Sequence, residues 1–207
     1  MVAFVPIAGL DGPLQHGEMV SLRGKRRAAI RKRALAVLGA LFGLLASSSL
    51  SAAAEVSQAD LVATLRSLAF LSSLQNRSAI VIGVIYNGAD PVSRVQAGRV
   101  AGDLSRLPGP GSATITAVPV AVQDLAGQHF DSVYLLSLPS EASHAAGEFV
   151  RRQNVVSVSS DPQCLEAQSC VLLVQARTTM SVVLDTALAK QVGAKFSTVF
   201  TMLVKRK

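Results

Sequence analysis

Ala79-Ile-Val-Ile-Gly-Val-Ile-Tyr86, running into Asn87-Gly-Ala-Asp-Pro91, is the stretch on which the fold turns. Eight apolar residues rich in β-branched side chains, with no polar position among them, read as a strand buried on both faces, the habit of parallel sheets. The run then meets a turn, and Asp90 followed by Pro91 is a helix N-cap with proline at the first helical position. A strand passing through a short turn into a capped helix, here to about Leu107, is the first half of a β-α-β unit.

The flanking sequence repeats the alternation. Upstream, Gln58 to Gln75 carries Leu61, Leu65, Leu68, Leu71 and Leu74 at spacings of four and three, which predicts a helix with a broad apolar face. Downstream, beyond the Pro108-Gly-Pro-Gly-Ser112 loop, strands are expected at Ala113–Val120, Ser132–Ser137, Asn154–Ser160, Cys170–Gln175 and Met180–Leu184. Pro119 marks the first of these as an edge strand or a strand end. Helices are expected after Ser140 as cap, over Asp185–Val192 and over about Ser197–Val204. The fold class is therefore α/β, a three-layer sandwich with a mostly parallel sheet in a single domain, and a local antiparallel element is expected around the cysteines.

The N-terminal quarter reads differently. Arg23 to Arg33 (RGKRRAAIRKR) is a basic cluster, Ala34 to Ala46 an apolar run of 13 residues, and Ser51-Ala-Ala-Ala54 a small-residue site. That order is the order of a cleavable signal peptide. Spanning a bilayer takes roughly 20 residues, so the run is short for an anchor. Residues 1–54 are expected to be removed before Glu55, leaving a periplasmic protein of residues 55–207. Met19 opens a more ordinary signal than Met1, so residues ahead of it read as an over-extended start.

The net charge of +7 mostly sits in the segment expected to be lost. Seven of the 20 Lys and Arg residues fall in Arg23–Arg33, and of the 13 acids only Asp11 and Glu18 precede Glu55, so the remainder carries +2. No basic footprint for nucleic acid is left. Cys164 and Cys170 then lie in an exported chain, where a disulfide is favoured, a structural staple rather than a redox-responsive pair. A metal reading is weaker still, because zinc takes four ligands and His129 and His144 are distant in sequence.

Catalytic motifs are missing. There is no G-x-G-x-x-G after the first strand, no G-x-x-x-x-G-K-[ST] and no G-x-S-x-G elbow, so the many serines have no nucleophile context. His144 falls on the polar side of its helix, and His129 reads as a turn residue. No catalytic residue, cofactor or metal is expected, and the chain reads as a non-enzyme.

Taken together, the pattern resembles the YfiR-like (HmsC-related) periplasmic proteins. The likeness rests on the leucine-faced opening helix, Ile80-Val-Ile-Gly-Val-Ile85, and Asp131-Ser-Val-Tyr-Leu-Leu136. It rests also on Val155-Val-Ser-Val-Ser-Ser-Asp161 running into the cysteine loop, and on the closing Val182–Ser197 segment. The resemblance implies a regulatory binding protein, monomer or homodimer, that holds the periplasmic part of an inner-membrane diguanylate cyclase inactive and so lowers cyclic di-GMP and biofilm matrix. It also implies that Cys164 and Cys170 are the family's late cysteine pair. Departures are the lack of further cysteines, Ala167-Gln-Ser169 where a Gly-Gly run is common, and the absence of Trp after the first helix.

A second class fits the same residues. A single-lobe solute-binding protein of a transport system would use the crevice at the carboxyl ends of its parallel strands. Its lining would be Tyr86-Asn87-Gly88 and Ser137-Leu138-Pro139. Against this, the usual two-lobed binder is about twice as long, and that lining has no charged group.

Overall fold

The computed structural model describes residues 55–207, so the expected signal peptide lies outside the described residues. Helix α1 (Gln58–Leu68) opens on a capping box, in which Ser57 and Asp60 satisfy each other's backbone N–H groups. Strand β1 (Ala79–Tyr86) and helix α2 (Pro91–Arg106) follow as expected, and the Asp90 carboxylate accepts from Val92 N at 2.9 Å. Then come β2 (Thr114–Ala121), β3 (Ser132–Leu135), α3 (Ser140–Gln153), β4 (Val156–Ser159) and α4 (Gln163–Glu166). The chain finishes with β5 (Leu172–Ala176), β6 (Met180–Leu184), α5 (Thr186–Gln191), α6 (Thr198–Leu203) and β7 (Lys205–Arg206).

One seven-stranded sheet organises them, in the order β2-β1-β3-β4-β5-β6-β7. Every neighbouring pair is parallel except β5 and β6. The crossovers through α2 and α3 run in opposite directions along the sheet, so right-handedness puts them on opposite faces, and α1 lies beside α2. This is the expected three-layer α/β sandwich. From Ile82 onward β1 is buried at every position, at the centre of the core.

Gly83 shows how the α3 layer fits. A Cβ there would stand 2.9 Å from the ring of Phe130, so only glycine lets that ring lie against the strand. Phe130 in turn meets Phe149 of α3 edge to face, with centroids 6.3 Å apart. Stacked rings also join the segment after α1 to α6, since Phe200 of α6 lies 5.1 Å from both Phe70 and Phe196.

Several expectations need correction. The first helix ends at Leu68 rather than Gln75, because the backbone beyond it turns to long-range partners. Leu71 bridges Phe196, and Ser72 N donates to the Lys195 carbonyl at 2.9 Å. Leu71 and Leu74 remain buried, now on a turn and a short 3-10 segment. Ser140 is the first residue of α3 and not its cap, which is Pro139 with no side-chain bond. The strands flanking the cysteines, β4 and β5, are parallel and joined through α4; the antiparallel pair is β5–β6. Lys205 and Arg206 have exposed side chains, yet their backbone adds a seventh strand, parallel to β6.

The edge reading of β2 is met. Thr114 N donates to the Ser78 carbonyl, so by alternation Ile115, Ala117 and Pro119 turn their backbone outward. Ala117 N is taken by Ser105 Oγ at 3.0 Å, and Pro119 has no N–H to offer. Ala117 and Pro119 are thereby closed to a further strand.

Candidate functional site

Sheet order reverses between β1 and β3, since the chain leaves β1 for β2 on one side and returns to β3 on the other. Such a switch point leaves a crevice outside the carboxyl ends of the two strands. Two of the expected lining residues lie just past these two strands, Asn87 next after β1 and Ser137 two residues after β3. Tyr86, the last residue of β1, is buried at 8% exposure. The parallel pairing of β1 with β3 brings these residues side by side, and several of their polar groups are engaged by the protein itself. The Gln123 amide lies over Gly88, so close that a Cβ there would overlap it. Ser137 Oγ donates to Asp161 at 2.6 Å, and Asn87 is engaged within its own turn through Ala89 N and Ser93 Oγ.

Open concavities lie farther along the same edge. A groove of about 270 Å³ separates α3 from α4, between Ser140, Ser143 and His144 on one wall and Gln163 and Glu166 on the other. A larger one, of about 500 Å³, runs between α1 and the β5–β6 turn; Val62, Ala63 and Met180 make its apolar lining, and Arg66 and Arg177 its charges. It continues into a polar cleft of about 180 Å³ bounded by Asp60, Ser160 and Gln175, and the two share Ala176 and Arg177.

The polar cleft is built from the centre of the sheet outward. Asp60 is almost wholly buried, and its carboxylate accepts from Ser57 N at 3.1 Å, Ser57 Oγ at 2.8 Å and Ala176 N at 2.7 Å. One side chain thus caps α1 and pins it to the end of β5. Tyr134 Oη donates to Ser160 Oγ at 3.0 Å, and Gln175 Nε2 donates to the Ser160 carbonyl at 3.1 Å. Arg66 and Arg177 contribute to none of the ion pairs among the described residues, which join Arg77 to Asp131, Arg99 to Glu55 and Arg106 to Asp103. A groove with two guanidiniums outside any ion pair and an apolar lining is equipped to hold a small solute whose anionic group lies by the arginines, away from the Glu55 and Asp60 carboxylates that line its polar end.

Burial pushes the Tyr134 phenol well above its ordinary value near 10; its bond with Ser160 pulls it partly back, and the Asp60 carboxylate adds a smaller upward push. The raised value means that the fold favours the neutral phenol. Its contribution is therefore complete below a pH of about 10 and is lost as pH climbs past that ordinary value. The thermal midpoint is expected to fall between about pH 9 and pH 11, and to fall less in Tyr134→Phe. Equal falls in the two proteins would contradict this.

The serines that had no nucleophile context have structural duties. Ser132 Oγ donates to the Val156 carbonyl, Ser157 Oγ to that of Ser169 and Ser159 Oγ to that of Leu135, all with no solvent exposure. Cys164 and Cys170 are bonded to each other, with Cα atoms 5.4 Å apart, and close the loop around α4. His129 and His144 are both exposed. The residues missed from sequence, Asp60, Ser160, Gln175 and Arg177, carried one legible hint: Ser57 and Asp60 stand three apart just ahead of an apolar run, at capping-box spacing.

No family model and no curated protein matches the chain. Solved structures do. One is an ABC domain in complex with L-Trp from Streptococcus pneumonia, at 10% identity and a TM-score of 0.50, covering 72% of this chain and 61% of that one. Another is a conserved domain protein from Vibrio cholerae, at 11% identity and a TM-score of 0.52, covering 74% and 61%. A third is CD0873, a substrate binding protein with adhesive properties from Clostridium difficile, at 11% identity and a TM-score of 0.47, covering 65% and 57%. The chain spans about three fifths of the length of the structures it matches. At such identities the likeness is one of fold, and the fold that this chain shares with the L-Trp-bound domain is the α/β sandwich described above.

Proposed function

We propose that this chain is a binding protein and not an enzyme, and that it holds a small anionic solute with an apolar body in the groove between α1 and the β5–β6 turn. The observation that carries this reading is the presence of both Arg66 and Arg177 in the lining of an apolar groove that adjoins the Asp60–Ser160–Gln175 cleft. The shared fold with a domain that binds L-Trp is consistent with a solute of amino-acid size. Thermal unfolding in the presence of free amino acids and of aromatic and aliphatic carboxylates tests it. A ligand at a hundredfold its Kd adds about 2.7 kcal/mol, a rise of roughly 5–10 °C for a domain of this size. Arg177→Ala should abolish the rise, and a panel in which nothing shifts the wild type would overturn the reading.

A second reading, the regulator implied by the YfiR-like resemblance, is favoured by a different observation. A further groove, of about 350 Å³, lies between Val62, Leu65, Arg66 and Ala69 of the α1 region and the Leu107–Gly111 loop, so that Val62 and Arg66 stand between two grooves. Side chains set between two grooves are a feature that a partner protein can grip. Here the partner would be the periplasmic part of a membrane diguanylate cyclase. Deleting the gene should then raise cellular cyclic di-GMP, and an unchanged level would count heavily against it.

A further inference from the structure

Helix α6 turns one face inward and leaves the other without a partner. Phe200 is buried between Phe70 and Phe196, while Val199, Met202 and Leu203 are 61%, 78% and 77% exposed. Their spacing of three and four places all three on one outward face. The helix is held at both ends, by Ser197 N donating to the Phe70 carbonyl at 3.0 Å and by β7 pairing with β6. It is a fixed apolar tip and not a fraying end.

The charged residues nearest α6 along the chain are all basic. Lys195 lies four residues before Val199, and Lys205 and Arg206 lie two and three after Leu203, all exposed. Asp185 is the last acidic residue in the sequence, and its buried carboxylate is taken up as the cap of α5, accepting from Leu188 N at 2.9 Å. Lys207 is held by the Leu165 carbonyl, next to the exposed Glu166, and is left out of the count.

A second copy docking through the same face would bring these cations against their own equivalents, so the charge speaks against self-association. An exposed apolar helix face with exposed cations just before and just after it in sequence fits an anionic bilayer surface, where the apolar side chains enter the headgroup boundary and the cations meet lipid phosphates. Among the described residues no helix is long and apolar enough to cross a membrane, so the contact would be peripheral. We propose that α6 and its flanking cations dock this protein onto the surface of an anionic membrane, by a contact independent of the groove beside α1.

The test is co-sedimentation with vesicles of phosphatidylglycerol and phosphatidylethanolamine, compared with vesicles of phosphatidylcholine. Arg23–Ala46 is itself basic and apolar, so wild type and variants are compared as purified from the same cells, with identical N-termini confirmed by mass. Met202→Asp/Leu203→Asp and Lys205→Glu/Arg206→Glu are each expected to lower partitioning onto the anionic vesicles at least tenfold. Raising the salt should weaken the wild type by a similar factor, and phosphatidylcholine should bind it poorly. All four side chains are exposed, so both variants should keep the wild-type thermal midpoint. Wild-type partitioning by either variant would overturn the proposal. So would light scattering that shows a wild-type dimer lost in Met202→Asp/Leu203→Asp, which would assign the face to a second copy.

Discussion

Phe149→Ala is expected to lower the unfolding free energy by about 3–5 kcal/mol, the range for deleting a buried aromatic ring. Phe149 is 2% exposed on α3 and meets the edge of Phe130, whose own ring occupies the space that Gly83 leaves beside β1. The three residues form a column from the central strand to the helix layer. Truncation would leave a void that neither the strand nor a helix held at both ends can close. Denaturant unfolding monitored by circular dichroism checks this, and a loss below about 1 kcal/mol would show that the column is not a principal contact of the α3 layer. Phe149→Leu, which keeps most of the volume, should lose much less.

Asp60→Ala is expected to cost about 1–4 kcal/mol and to abolish solute binding with it. Losing Asp60's half of the capping box, with the Ser57 cap itself kept, is worth up to about 1 kcal/mol, and depriving the half-buried Ala176 N–H of its charged acceptor adds about 1–3 kcal/mol. The same carboxylate fixes α1 against the end of β5, and those two elements are the walls of the groove. Asp60→Asn keeps one carbonyl oxygen and should fall between wild type and Ala in denaturant midpoint. A variant Asp60→Ala that melts with the wild type would remove the basis for treating α1 and the β5–β6 turn as one rigid site.

Much of the fold was legible where local chemistry and burial agree. The β-branched run of β1 has no amphipathic alternative, and Asp90-Pro91 can open only a helix, so the first β-α-β unit reads directly. The end of α1 was not legible, because Leu71 and Leu74 continue the leucine spacing and are buried either way. What stops the helix is pairing with Phe196 and Lys195, more than a hundred residues on. The antiparallel turn was hidden for a different reason. Ala176-Arg-Thr-Thr-Met180 contains none of the Gly, Pro, Asn or Asp residues that announce a hairpin.

At the site, Asn87 and Ser137 could be found, because a parallel sheet directs attention to residues just after its strands. That Gln123 lies over Gly88 and that Asp161 takes the Ser137 hydroxyl are matters of side-chain placement, beyond any pattern. The open groove depends on Asp60 meeting Ala176, a contact across 116 residues. Arg66 and Arg177 look like ordinary surface charges until the fold sets them along one groove.

The most direct measurement is mass spectrometry of small molecules released from the protein after gentle purification from the cells that make it. The account predicts a carboxylate-bearing solute in about equimolar amount from the wild type, and none from an Arg66→Ala/Arg177→Ala variant that retains its thermal midpoint. A wild type that releases no solute, and that instead copurifies with the periplasmic part of a membrane cyclase, would contradict it.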